Sequence, residues 1–391
     1  MAQNRKIKGS EMKRTDFPWN FVFGAATSGY QVEGGGYAAD WHYAGLQNRV
    51  PLANKACDHV RYYPSDLQIL KDLGLNGYRM GIEWPRMEPN QGAFSKDALS
   101  LYREIIQATI AKGITPNVTL SHFTLPQWLA KQGGWENPYS VRWFANYARI
   151  CANEFGPVVT YWSTLNEPKN VYIPNAYIAG LWPPFKKSPV AALRAFINLR
   201  AAHFSAYKAM KEVSPKLQIG IVENYGNVAA SNIALKPIAR LINLFSRSGF
   251  TTGDWLGVNY YRSYELSGAG LTESQDRTDV GWGIDPSGLA PILKKLWNAR
   301  HLPMYVTENG LANVADDKRW TYIYAHLEQV LEAMDAGVDM RGYFHWSLLD
   351  NFEWALGYRP RFGLVEVNYT NMKRTPRPSA LQWRDWLTDK N

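Results

Sequence analysis

Two glutamates stand where a polypeptide can hold a carboxylate ready for chemistry. Glu167 lies in Asn166-Glu167-Pro168 and Glu308 in Glu308-Asn309-Gly310, each at the end of a short β-branched and aromatic stretch. Proline or glycine so close to a strand end turns the chain away, so neither carboxylate continues a sheet ladder. Other polar residues gather in similar places: Arg79 and Glu83 in YRMGIEW, Ser121-His122, and Asn259-Tyr260-Tyr261. Two carboxylates facing one reacting centre are what glycoside hydrolysis needs, one as nucleophile or base and the other as general acid.

Carboxylates so far apart in the chain meet only if the fold gathers strand ends. Eight runs of strand character recur, at 21–26, 76–84, 114–121, 159–166, 217–224, 254–261, 303–308 and 341–347. Segments of helical period separate or follow them, at 64–73, 96–112, 139–155, 190–212, 287–299, 317–335 and 379–388. In the first of these, Leu67, Leu70 and Leu73 mark one helix face and Gly74 a stop. The alternation predicts an α/β fold, one (β/α)8 TIM barrel over residues 1–391, whose catalytic groups sit at strand C-terminal ends. An open doubly wound sheet is the alternative, but its Gly-rich phosphate turn is missing: Gly34, Gly35 and Gly36 are consecutive and do not form GxGxxG. Arg79, Gly81 and Glu83 share one pleat face, with Tyr78, Met80 and Ile82 on the other. Helices cover the outside of such a barrel, so the polar set is expected to point inward.

Composition narrows the function classes. The 391 residues are 46% hydrophobic and 20% charged, an ordinary globular balance rather than that of a disordered chain. The basic stretch at the N-terminus has no apolar segment behind it, and no run is long enough to span a bilayer. The expectation is therefore a cytoplasmic protein with no membrane partner. Cys57 and Cys151 lack metal-site or disulfide-framework spacing, and the histidines show no HExxH, so neither a metal nor a cofactor is expected. The formal charge of +9 is spread along the chain rather than gathered in a run, which argues against nucleic acid. Aromatics are abundant, with 16 Trp, 23 Tyr and 15 Phe, and their faces suit the C–H faces of sugar rings. Trp128, Trp135, Trp143 and Trp162 read better as packing than as sugar platforms.

Several segments together resemble glycoside hydrolase family 1, the retaining β-glycosidases. TLNEP (164–168) and YVTENG (305–310) look like that family's acid/base and nucleophile motifs. FGAATSGYQVEG (23–34), CDHVRYYPSDLQILKDLGLNGYRMGIEWPR (57–86), GVNYY (257–261) and WSLLDNFEWALGYRPRFGLVEV (346–367) follow in family order. The resemblance covers about residues 17–385 and implies that Glu308 is the nucleophile and Glu167 the general acid/base. By the same resemblance, Asn166 meets the sugar 2-hydroxyl, and Arg79 and Tyr261 hold the nucleophile. Gln31, His122, Glu353 and Trp354 would grip the remaining hydroxyls, Trp346 would lie beneath the sugar ring, and Asn259 and Phe362 would line the same pocket. The implied partners are β-linked oligosaccharides or glycosides, and the implied activity is exo-hydrolysis of β-glucosides, with β-galactosides and β-fucosides as side substrates and transglycosylation as a side reaction. A preference for β-mannosides or β-galactosides, or a sugar-binding barrel without turnover, are the competing readings.

Three departures or signatures bear on specificity. Phe123 follows His122 where the family usually has Trp, which implies a smaller wall with less hydrogen bonding. Segments 225–253 and 262–282 look short, which predicts a shallow, open leaving-group site. Glu353 keeps the carboxylate that relatives acting on 6-phosphorylated sugars replace, which argues for neutral sugars.

Overall fold

The computed structural model describes residues 11–35 and 38–389, so Gly36 of the glycine triplet lies outside it. Eight parallel strands close into a barrel: β1 (Val22–Ala26), β2 (Gly77–Gly81), β3 (Thr115–Ser121), β4 (Tyr161–Asn166), β5 (Gln218–Asn224), β6 (Trp255–Asn259), β7 (Met304–Asn309) and β8 (Met340–Trp346). Each pairs with its neighbours in sequence, and β1 closes against β8, from Val22 opposite Gly342 to Ala26 opposite Trp346. Such strands are covered on both faces, which is why they read as apolar runs with polar residues mainly at their tips. Inside the barrel Phe344 fills space left by glycines: a Cβ on Gly24 would stand 2.5 Å from its ring.

The helices follow the strands in order: α1 (His59–Asp72), α2 (Lys96–Ala111), α3 (Ser140–Phe155), α4 (Pro189–Val213), α5 (Lys236–Arg247), α6 (Leu289–Arg300), α7 (Arg319–Asp335) and α8 (Pro378–Thr388). Their starts follow capping chemistry. Ser95 accepts from the Ala98 N–H at the head of α2, and Ser188 accepts from Ala191 with Pro189 at the first turn of α4. Helix α1 begins five residues before the predicted 64 and carries Pro64 inside it. No helix among the described residues is long and apolar enough to cross a membrane. Trp135 and Trp162 are buried, and Trp128 and Trp143 pack partly buried against the core. Cys57 and Cys151 are buried free thiols.

Four elements were not expected from the sequence. The segment read as a short loop after β5 contains a strand at Asn227–Ala230 and helix α5. With strands Ser263–Ser267 and Gly270–Thr272 it builds a small sheet beside the barrel mouth. Helix α5 is locked to that sheet by Asn243, whose side chain accepts from the Val228 N–H at 3.1 Å and donates to the Val228 carbonyl at 2.7 Å. It buries little else: of its residues only Ala239 and Asn243 are buried.

Candidate active site

The carboxylates sit where strand pairing breaks. Register shifts fall between Ser163 and Asn166 where β4 meets β5, and between Val306 and Glu308 where β7 meets β6. Such irregularities re-aim side chains that a regular pleat would fix. Glu167 itself has φ 46° and ψ 43°, a left-handed backbone that costs a non-glycine residue about 1–2 kcal/mol. That cost is offset by anchoring: the Glu167 N–H donates to the Val222 carbonyl at 2.9 Å, and Pro168 starts the next turn.

From there a chain of hydrogen bonds joins the two carboxylates. Arg79 on β2 is fully buried and places one nitrogen on Glu308 Oε1 and the other on Asn166 Oδ1, the latter at 2.8 Å. The Tyr261 hydroxyl donates to Glu308 Oε2 at 2.7 Å. The Asn259 amide donates to Asn166 Oδ1 at 3.2 Å and to Glu167 Oε1 at 2.8 Å. Its own oxygen accepts from Thr307 at 2.7 Å, which fixes which way the amide points. Asn166 Nδ2 meets His122 Nε2 at 3.1 Å, so that nitrogen is an acceptor and the ring is neutral. Burial and the Arg79 charge hold the His122 pKa well below its ordinary value, in agreement with that tautomer.

The two carboxyl groups differ in surroundings. Glu308 is ion-paired to a guanidinium. Among the described residues no cation adjoins Glu167: burial and then the Glu308 charge push its pKa well above the ordinary range, while the Asn259 and Asn224 amides pull it partly back. A carboxyl group whose pKa is raised next to an ion-paired carboxylate is the division of labour that acid-assisted glycosyl transfer requires. Glu353 is pushed up to about 8, by burial first and by the Glu308 charge second.

Around these groups lies a cavity of about 670 Å3, the size of a small-molecule site. Of the residues singled out by sequence, Glu167, Glu308, Tyr261, His122, Trp346, Glu353, Trp354 and Phe362 line it. Arg79, Asn166, Gln31 and Asn259 sit one layer behind. Asn259, expected to line the pocket, gives its amide nitrogen to Glu167 and Asn166. Gln31 likewise spends its amide nitrogen on Asn351 Oδ1, the Phe352 carbonyl and Glu353, at 2.9, 2.8 and 3.2 Å, tying β1's loop to the one that carries Glu353 and Trp354. Phe123, at φ 71°, does line the cavity, packed 4.9 Å from Trp182 and 5.3 Å from Trp354 between ring centroids.

Sequence reading missed Glu223 and Asn224. Asn224 Nδ2 donates to Glu167 Oε1 at 3.0 Å. Glu223 accepts from the N–H groups of Lys169, Asn170 and Asn224 at 3.2 Å or less, and so clamps the turn that follows Glu167. Their signal was present, since two polar residues end the run LQIGIVEN much as Asn166 ends β4 and Glu167 follows it. Trp282 was missed as well; it lines the cavity 5.5 Å from Tyr261 and 6.0 Å from Phe362.

A closed parallel barrel with two unlike carboxyl groups at its C-terminal mouth defines a glycoside-hydrolase type of site. The family described as Glycosyl hydrolase family 1 matches residues 13–234 and 258–391. Beta-glucosidase A of Thermotoga maritima is 34% identical over 428 aligned positions, covering 93% of this chain and 96% of that protein. Because 93% of 391 residues is well short of 428 positions, several dozen residues of the relative have no counterpart here. The beta-glycosidase from Pyrococcus horikoshii superposes with a TM-score of 0.89 at 34% identity, covering 97% of this chain and 96% of that one. The Thermotoga maritima beta-glucosidase in complex with glucoimidazole gives 0.86 at 33% identity, covering 94% and 98%. The chain belongs to glycosyl hydrolase family 1, and it is a retaining O-glycosyl hydrolase. The unmatched stretch between the two matched segments contains helix α5.

Proposed function

We propose that the whole chain is one catalytic unit, an exo-acting β-glucosidase that releases terminal non-reducing β-D-glucosyl residues by double displacement. Glu308 attacks the anomeric carbon as the bond to the aglycone oxygen breaks, and Glu167 delivers its proton to that oxygen. A water then attacks the same carbon, gives a proton to Glu167 and frees Glu308. A sugar hydroxyl in place of the water gives transglycosylation. Arg79 and Tyr261 hold Glu308 in line, and His122, Glu353, Trp354 and Trp346 contact the sugar. The observation that carries this reading is the continuous bridge from Glu308 through Arg79, Asn166 and Asn259 to Glu167, which couples the two groups at one cavity wall.

Glucose is preferred in this reading because the relatives named above include beta-glucosidases, with β-galactosides and β-fucosides as slower substrates. A 6-phosphorylated sugar needs a cation, and among the described lining residues only Arg262 is cationic; it is already paired with Glu273 at 3.0 Å. The test is a panel of nitrophenyl β-glucoside, galactoside, fucoside, mannoside and 6-phosphoglucoside, with the first-formed sugar followed by proton NMR. Glucoside should lead and appear first as the β anomer. An α anomer, or a faster mannoside or 6-phosphoglucoside, would refute the proposal.

A further inference from the structure

Beyond the carboxylates the cavity changes character. Its outer wall is Val171, Leu181, Val228, Ile242, Leu271 and Leu356, contributed by the turn after β4, the small sheet, helix α5 and the loop after β8. Polar side chains line the cavity too, and most are tied to protein groups: Arg262 pairs with Glu273 and lies over the Tyr264 ring, and Ser246 Oγ accepts from Asn170. Asn170 Nδ2 donates to the carbonyls of Asn224 and Ser246 at 2.7 and 3.0 Å, Asn175 Nδ2 to the Val171 carbonyl at 2.9 Å, and Asn224 Nδ2 to Glu167. No acidic residue occurs between 225 and 253. A further sugar unit here would lose water from its hydroxyls and gain few partners, whereas hydrocarbon loses nothing.

The apolar surface also continues out of the pocket. Ile242 of α5 faces the cavity, and on the same helix Ile238, Leu241, Leu244 and Phe245 are 50% to 69% exposed, with Arg240 among them and Lys236 and Arg247 at the two ends. Contiguous exposed apolar side chains of this kind mark a binding surface. They lie in the stretch that the family match leaves out.

We propose that the substrates are amphiphilic β-glycosides with a long unbranched alkyl aglycone: the sugar sits between Glu167 and Glu308, and the chain runs along Val171, Leu181, Val228 and Ile242 onto the outer face of α5. This rests on the β-glucosidase reading above and specifies its leaving group. It also replaces the shallow, open aglycone site expected from the apparent shortness of the two segments with an apolar channel.

Initial rates of glucose release from methyl, hexyl, octyl and decyl β-D-glucosides, all below their critical micelle concentrations, test the channel. Burial is worth up to about fourfold per methylene, so kcat/KM should rise at least about tenfold from methyl to octyl. Ile242→Asp should cut the octyl-to-methyl ratio by about tenfold, and Leu271→Asp on the rim should lower it less. Hydrolysis-resistant methyl, hexyl and octyl 1-thio-β-D-glucosides read the same wall by calorimetric binding, without turnover. Nitrophenyl glucoside hydrolysis with a flat alkyl series, or a preference for cellotriose over octyl glucoside, would overturn the channel and leave the glycosidase reading intact. Absent nitrophenyl hydrolysis with Kd falling along the thioglucoside series would refute the glucosidase and support the channel.

Discussion

Asn224→Ala isolates the setting of the acid's pKa. Asn224 Nδ2 is 3.0 Å from Glu167 Oε1, and that bond favours the charged form. The other contacts of residue 224 run through its backbone, to Glu223 and Asn170, and survive the change. A hydrogen bond to a charged group is worth about 1.5–3 kcal/mol when buried, and Asn224 is half-buried, so about 1 kcal/mol is the reasonable figure. One pKa unit corresponds to about 1.4 kcal/mol, so the Glu167 pKa should rise by roughly 0.7 units. The acid must be protonated to act, and the alkaline limb of kcat/KM against pH reports the free enzyme's acid. That limb should therefore move to higher pH by roughly the same amount with an alkyl glucoside, whose poor leaving group needs the acid. A limb that stays put or moves down would refute the argument that amide donors hold the Glu167 pKa in check.

Arg79→Met leaves the Glu308 carboxylate buried without its cation, and thermal or denaturant unfolding should show about 3–5 kcal/mol of lost stability. Arg79→Lys restores the charge but not the fork that reaches both Glu308 and Asn166, so it should recover stability more than kcat. The pH dependence of stability has a defined sign above neutrality. The carboxyl groups of Asp40 and Glu223 are pushed up to about 7, and those of Glu83 and Glu353 to about 8, by burial first in each case. The folded chain thus keeps protons that the unfolded chain has released, and stability is lost as pH rises through those values. Below about 6.5 the buried His203 and His326, both depressed to about 4 by burial, act in the opposite sense. Calorimetric Tm should therefore fall from pH 6.5 to 9, with a shallower slope in Glu83→Gln; a rising Tm over that window would contradict the assignment.

Strand and helix positions were largely legible because a barrel strand must be apolar on both faces and polar only at its mouth. This same rule placed Arg79 inside the barrel. It gave the chemistry-bearing residues but not their layering: Asn259 and Gln31 carry the same residue types as pocket-lining positions, and only packing puts them behind the wall. Helix α5 was missed although Ile238, Leu241, Ile242, Leu244 and Phe245 keep helical spacing. The expectation of a bare loop gave no reason for a helix whose apolar face meets solvent. Glu223 stands at a strand end like the other functional residues, but its role of clamping backbone N–H groups leaves no trace in residue identities.

The central claim is that Glu308 forms the bond to the anomeric carbon. Glu308→Gly, assayed on an aryl β-glucoside with and without sodium azide, tests it most directly. Hydrolysis should vanish, and azide, standing in for the missing carboxylate, should restore turnover to an α-glycosyl azide. Undiminished hydrolysis, or an azide product of β configuration, would contradict the account.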